Sequence, residues 1–358
     1  VKARSPYVRT AATALLALLA FLVLRHRLPA LVAGIVSVVA AAAAARFAPR
    51  LVLVRLLWTA PLLLLLVFVT IQLMFLAPGD PFASEKNAPE AVRRQQQEHY
   101  GILDRSPAGG AAFFARYLGT LVSTGYLGPS MKVEGQSVGQ LLLPALPVSV
   151  TLGLSALLLA VAMGLVLGVR AGLRPNSFVD GSSMAFAMVG ISVPSFVIGA
   201  LLMVVFSLGL GWFPVAGWGG YRHLVLPAVT LSLPYAAYVA RLARSGTIEV
   251  MSQDFVRTAR AKGLPERAVV LKHALRGALA PVVSFLGPAA AGIMTGSFVV
   301  EMLFGIPGMG QWFVKGAINR DYYVVLGTVL IYSGIVVLFN LLVDLAYAWL
   351  DPRLRGRS

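Results

Sequence analysis

From residue 56 onward the chain alternates between long apolar runs and short polar breaks. Each run reaches or approaches the ~20 residues needed to cross a hydrocarbon core. Together they predict six transmembrane helices, over residues 56–76, 146–169, 183–208, 224–240, 279–300 and 324–350. Pro78-Gly79-Asp80-Pro81 stops the first with turn chemistry. Pro194 inside the third run predicts a kink, and Pro227 and Pro234 fall in the fourth. No segment alternates with the period-two pattern of a membrane-spanning strand, which argues against an outer-membrane barrel. The pattern is that of an all-α polytopic membrane protein.

The breaks differ in character. Residues 82–142 are polar and of nearly balanced charge, with Glu85, Lys86, Glu90, Arg93, Arg94, Glu98, Asp104 and Arg105. They read as an extracytoplasmic loop with one helix near residues 88–100. Residues 209–222 form a Gly- and Trp-rich loop in which Trp212 and Trp218 suit interfacial anchoring. Residues 301–323 form a further outer loop. Residues 251–281, between the fourth and fifth runs, are strongly basic: Arg257, Arg260, Lys262, Arg267, Lys272 and Arg276 outweigh Asp254 and Glu266. The other basic clusters (Arg46, Arg50 and Arg55; Arg170 and Arg174; Arg353, Arg355 and Arg357) fall on the same side. The positive-inside tendency then places 251–281 and the C-terminus in the cytoplasm.

Residues 1–50 stand apart. Two shorter apolar runs, 10–24 and 28–45, flank Arg25-His26-Arg27. A signal peptide would need a small-residue cleavage site where these charges stand. An N-terminal hydrophobic hairpin is the preferred reading. The division expected is thus a hairpin over 1–50, a first core helix over 51–78, an outer loop over 79–142, a helical core over 143–350 and a tail over 351–358.

Composition narrows the chemistry. The 358 residues are 58% hydrophobic and only 12% charged, with a mean hydropathy of +0.81. There is no cysteine, so disulfides and thiolate metal sites are excluded. His26, His99, His223 and His273 are scattered without ligand spacing. The net charge of +16 is accounted for by basic loops beside anionic lipid, without nucleic acid. No phosphate-binding loop and no serine- or zinc-hydrolase motif is present. Ser192 and Ser195 lie in an apolar run, where a serine usually bonds its own helix, so an intramembrane enzyme has little support. Spans two to five carry no ionisable residue near their centres, and Gln72, Asn340 and Asp344 are the strongly polar intrusions elsewhere. An ion-coupled secondary transporter, the main alternative, needs a site for its driving ion. Gly164, Gly168 and Gly172, and the pair Gly292 and Gly296, are four-spaced close-packing signals that serve packing within the chain or against a partner.

A transporter without its own energy site needs a partner that supplies energy, and the partner needs something to hold. Residues 251–281 are the only loop on that side large enough. Residues 252–262 suit a helix ended by Gly263, and Pro265 suits the first turn of a second helix. An isolated basic loop is usually a solvated face. Here Phe255 and Ala259, one turn apart, offer apolar contact for a groove, with Arg257, Arg260 and Lys262 for carboxylates around its rim.

Several stretches together resemble one family. Asp254-Phe255-Val256-Arg257-Thr258-Ala259-Arg260-Ala261-Lys262-Gly263-Leu264, with His273-Ala274-Leu275-Arg276 and Pro281, resembles the EAA loop of ABC transporter permeases, specifically the B-type subunit of the dipeptide/oligopeptide/nickel group. Leu76-Ala77-Pro78-Gly79-Asp80-Pro81, Ser192-Val193-Pro194-Ser195-Phe196, Leu226-Pro227-Ala228, the stretch from Glu301 to Gly310, and Asn340-Leu341-Leu342-Val343-Asp344 are similar to other segments of that family. The resemblance covers about residues 51–355. It implies a type I permease core of six helices, a second homologous permease subunit, two ATP-binding cassette subunits that use ATP and Mg, and an extracytoplasmic solute-binding protein. No cofactor is expected on this chain. By resemblance, Asp254, Phe255, Arg257, Thr258, Ala259, Arg260, Lys262, Gly263, Leu264, Pro265 and Glu266 form the loop that couples to the ATPase. Arg257 stands where the name-giving glutamate lies, and Leu275-Arg276 where many permeases have Leu-Pro. The hairpin over 1–50 and most of the 82–142 loop lie outside the family pattern.

Overall fold

The structure is a computed structural model that describes residues 49–79, 81–82 and 90–350. The expected hairpin up to residue 48, Asp80 and the C-terminal tail from Asp351 lie outside the described residues, and residues 49–50, expected to close the hairpin, belong to the first helix. Among the described residues there is no β-strand, only an isolated bridge between Pro129 and Ser137. Five helices are long and apolar enough to cross a membrane, and a bent pair makes a sixth when counted as one span. The described residues divide into two compact units, one holding those up to 140 with 316–333 and 344–350, the other residues 141–315 and 334–343.

The first unit is built on α1 (Pro49–Leu76). Two arginines meet the carbonyls of the turn that follows it, where cationic donors also suit the helix dipole. Arg105 donates to Gly79 O and, at 2.8 Å, to Ala77 O, and Arg320 donates to Pro78 O at 2.9 Å. The polar segment that follows contains α2 (Glu90–Tyr100), as expected, and α3 (Pro107–Thr124), which was not. Ser106 caps α3 by accepting from Gly109 N at 3.2 Å, and Pro107 stands at its first position. Its stripe of Phe113, Tyr117 and Leu121 packs on Ile71 and Phe75 of α1 and on Tyr322, Tyr323 and Leu326. Gln72, flagged as a polar intrusion, donates to Pro107 O at 3.2 Å. Asp321 ties the unit together. It accepts from Ser130 Oγ at 2.5 Å and Met131 N at 2.9 Å, and it caps α13 (Tyr322–Leu350) through Val324 N at 3.2 Å. Burial raises its carboxyl pKa, and those hydrogen bonds act in the opposite sense.

The second unit is organised around α7 (Tyr221–Met251), the most buried of the candidate spans, with 56% of its most apolar window inside. Four-spaced glycines of α4 (Val138–Leu173) lie against it. A Cβ on Gly164, Gly168 or Gly172 would stand 2.5, 2.3 or 2.6 Å from atoms of α7, so the stripe is intrachain packing. Both α5 (Phe178–Ser192) and α11 (Ala280–Leu303) also pack on α7. The third expected span is corrected. It is two helices, α5 and α6 (Ser195–Leu202), the latter continued by a π turn over Met203–Gly209, and they are bent by 106° at the break. Val193, placed before Pro194, is extended at φ −93° and ψ 127°, because a proline excludes the helical conformation from the residue before it.

The expected outer loop over 301–323 is also corrected. Glu301 belongs to the last turn of α11 and is fully buried, and α12 (Met309–Asn319) occupies the middle of the stretch. The Glu301 carboxylate accepts from Ser149 Oγ at 2.7 Å and from Gly310 N at 2.8 Å, and Ser149 Oγ accepts from Met309 N at 2.8 Å. A Cβ on Gly308 would meet Glu301 Oε2 at 2.4 Å, which explains a glycine there.

Candidate functional site

The loop expected at 251–281 is a compact substructure. α7 continues past the expected end at residue 240 to Met251, so Arg241 and Arg244 belong to it. Gln253 is extended, and α8 (Asp254–Ala261) follows. The chain then turns at Gly263, which has φ +74°. Gly263 N donates to Arg260 O at 2.9 Å and Leu264 N to Ala259 O at 3.4 Å, the two bonds of a Schellman ending. Leu264 precedes a proline and cannot extend a helix. Pro265 is the extended cap of α9 (Glu266–Ala268), one residue before the first turn where it was expected. A π turn over Val269–Ala274 and α10 (Leu275–Ala278) lead into α11.

One face of this substructure is a small core. Val256, Ala259, Val269, Ala274 and Ala278 are buried with Val250 of α7. Gly246 allows α7 to approach α10, since a Cβ there would stand 2.5 Å from Ala278 O. The loop is thereby fastened to the end of α7 by backbone proximity as well as by apolar contact.

The opposite face is open. Phe255, Leu264 and Leu271 are exposed hydrophobic residues at 45%, 38% and 65%, and Asp254, Thr258, Lys262, Arg267 and Lys272 are exposed around them. Two ion pairs lie on it. Arg260 donates to Glu266 through Nη2 at 2.7 Å and Nε at 3.2 Å, across the Gly263 turn, and Arg257 meets Asp254 at 3.3 Å. The hydrogen bond from Arg260 holds the Glu266 carboxyl below its ordinary value. Both pairs are exposed and contribute little to stability. Their effect is to hold the side chains of the turn in one arrangement.

Ala259 corrects the expected docking face. Its side chain is 5% exposed and packs inward, so it does not accompany Phe255 outward. The buried pair of α8 is Val256 and Ala259, three apart, which leaves Phe255 as the projecting apolar group of that helix.

The other residues singled out lie elsewhere. Ser192 ends α5 and Ser195 begins α6, and neither is hydrogen-bonded to a histidine or carboxylate among the described residues. A Cβ on Gly287 of α11 would meet Asn340 Oδ1 at 2.7 Å, so Asn340 serves close packing. The side chain of Asp344 lies outside the described residues. Trp212 packs on Phe206 in a tilted arrangement with ring centroids 5.6 Å apart, and its carbonyl accepts from Arg222. Glu301 with Ser149, and Asp180 with Arg244, are polar pairs that sequence reasoning did not find. Asp180 accepts from Arg244 Nε at 2.5 Å and Nη2 at 2.7 Å. In both cases the partners are far apart in the chain.

Comparison with known proteins adds breadth to this geometry. Residues 164–356 match the family described as binding-protein-dependent transport system inner membrane component, a range that includes the whole 251–281 loop. The oligopeptide transport system permease protein OppB of Haemophilus influenzae is 44% identical over 303 residues, 84% of this chain and 97% of that protein. The dipeptide transport system permease protein DppB of Bacillus subtilis is 44% identical over 296 residues, 83% of this chain and 94% of that protein. Escherichia coli OppB is 42% identical over 310 residues, 86% and 99%. Among solved structures, one described as inward facing conformations of the MetNI methionine ABC transporter superposes with a TM-score of 0.48 at 18% identity, covering 59% of this chain and 97% of that one.

Proposed function

The chain belongs to the family of binding-protein-dependent transport system inner membrane components, and from that membership we propose that it is the permease subunit of an ATP-driven importer of peptides. The observation that carries this reading is identity above 40% with oligopeptide and dipeptide permeases over more than four fifths of the chain. The substrate class, di- or oligopeptides, follows from those relatives.

The loop 251–281 is the coupling element in this reading. α8 and the Gly263 turn enter a cleft on an ATP-binding cassette subunit. Phe255 fills an apolar socket there, and Arg257 and Lys262 meet its acidic rim. Because Ala278 lies against Gly246, and Val256 and Ala259 pack with Val250, displacement of the loop is passed to α7 and α11 as to one body. The chain hydrolyses nothing itself. ATP and Mg are used by two cassette subunits, a second homologous permease completes the pathway, and an extracytoplasmic binding protein delivers the peptide. The complex sits in the plasma membrane with the loop and the C-terminus cytoplasmic, a reading that the distribution of basic residues supports.

Isolation of the tagged chain from native membrane in mild detergent, with mass spectrometry of what accompanies it, tests the assembly. A second permease and cassette ATPases are expected. A chain that purifies alone and intact over repeats contradicts the reading.

A further inference from the structure

A cavity of about 470 Å³ opens between α5, α7 and α11. Part of its wall is apolar. Tyr238 of α7 and Phe285 of α11 pack with ring centroids 5.6 Å apart, and Met184 of α5 lies beside them. Further along α7 the lining turns polar, with Arg241, Arg244 and Ser245. The two arginines are not equivalent. Arg244 is held by Asp180 through two hydrogen bonds, which meet its charge and fix its direction. Arg241 is exposed and has no hydrogen bond or ion pair among the described residues. Ser245 gives its proton to Leu242 O at 3.1 Å, which leaves its oxygen free to accept.

The position along the helices bears on the ligand. Met184 and Phe285 stand in the second turns of α5 and α11, on the order of 7–9 Å from their starts. Arg241 and Ser245 fall in the last third of α7, and Tyr238 lies one turn nearer its middle. The end of α7 and the start of α11 are also joined by the basic 251–281 loop, and the start of α5 follows Arg170 and Arg174. On the orientation proposed above, the charged part of the cavity lies on the cytoplasmic side of its ring wall.

We propose that this cavity binds the phosphate-bearing headgroup of an anionic phospholipid. Arg241 supplies the charge that meets the phosphate, with Arg244 pinned at the edge by Asp180. Ser245 accepts from a headgroup hydroxyl, and the first acyl methylenes cover Tyr238, Phe285 and Met184. Basic pockets between membrane helices suit such headgroups. A translocated peptide carries a carboxylate of the same charge, but it brings no acyl chain to cover the ring wall. The leaflet rests on the orientation proposed above, whereas the charge selectivity does not.

The test uses the assembled transporter in nanodiscs of phosphatidylcholine with phosphatidylglycerol as the minor component, followed by native mass spectrometry of the lipids retained. Phosphatidylglycerol is expected in preference to phosphatidylcholine. Arg241→Gln is expected to weaken that preference about fivefold, the value of one cationic side chain at a membrane surface. Arg241→Lys should keep most of it, and Arg170→Gln, an exposed arginine outside the cavity, should leave it unchanged. Equal preference in Arg241→Gln and the parent protein overturns the proposal. So does unchanged lipid retention in Arg241→Gln together with a raised KM for peptide uptake, which assigns the arginine to the transport pathway. Orientation is read separately by labelling Ser252→Cys, in this cysteine-free chain, with an impermeant maleimide on intact cells.

Discussion

Gly263 stands at φ +74° with open space where a Cβ would be, so the backbone and not crowding selects glycine there. Gly263→Ala then costs about 1 kcal/mol for the left-handed conformation and leaves the turn intact. Gly263→Pro cannot adopt that φ and also removes the N–H that bonds Arg260 O. With the transporter in vesicles, the proline variant is expected to hydrolyse several times more ATP per peptide moved, and the alanine variant to stay near the parent ratio. An unchanged ratio in the proline variant, assembled to the same extent, contradicts the role given to the turn. The turn was legible because a helix pattern, a glycine and a proline follow one another directly in the chain. The inward face of Ala259 was not, since spacing alone does not say which flank of an eight-residue helix meets Val250 and Val269. Glu301 was missed for a related reason. Its partner Ser149 is 152 positions away, and a carboxylate at the end of an apolar run ordinarily signals a loop.

At the scale of elements, the glycine stripe of α4 makes the sharpest claim. A Cβ on Gly168 would lie 2.3 Å from Ala240 O and 2.7 Å from Ala243 Cβ, so even alanine forces α4 and α7 apart. Overpacking of this kind costs about 1–3 kcal/mol. A Cβ on Gly296 of α11 meets nothing within 4 Å of it, and alanine is the better helix former by up to ~1 kcal/mol. Thermal unfolding of the chain in detergent should therefore show a lowered midpoint for Gly168→Ala and an unchanged or slightly raised one for Gly296→Ala. Equal midpoints would mean that the stripe is not the α4–α7 contact. Helix existence was readable from apolar length. Helix ends were not: α4 begins at Val138 and α7 runs on to Met251, because polar residues continue a helix that its neighbours already hold. α3 was missed because Gly109, Gly110 and Gly119 dilute its propensity. Ser106-Pro107 followed by Phe113, Tyr117 and Leu121 was the signal that could have found it. The 106° break between α5 and α6 exceeds the kink that one proline suggests, and Val193 ahead of Pro194 supplies the rest.

Across the whole molecule, apolar runs set the number of candidate spans, the basic residues carry the proposed direction, and the fastened loop is the proposed handle for a partner. The span count was open to sequence reasoning because it is a sum over many residues. The pairs that hold the units together, Asp321 with Ser130 in one and Glu301 with Ser149 in the other, depend on tertiary proximity and appear only in the folded chain. The central claim is that this chain moves peptides with energy taken from ATP hydrolysed elsewhere. Its most direct test is uptake of labelled peptide into vesicles that carry this chain with its co-purifying permease and ATPases, with binding protein added on the side away from ATP. The account predicts uptake that needs both ATP and binding protein, stops with vanadate, and persists when ion gradients are collapsed. Uptake by the chain alone, driven by an ion gradient without ATP, would contradict it.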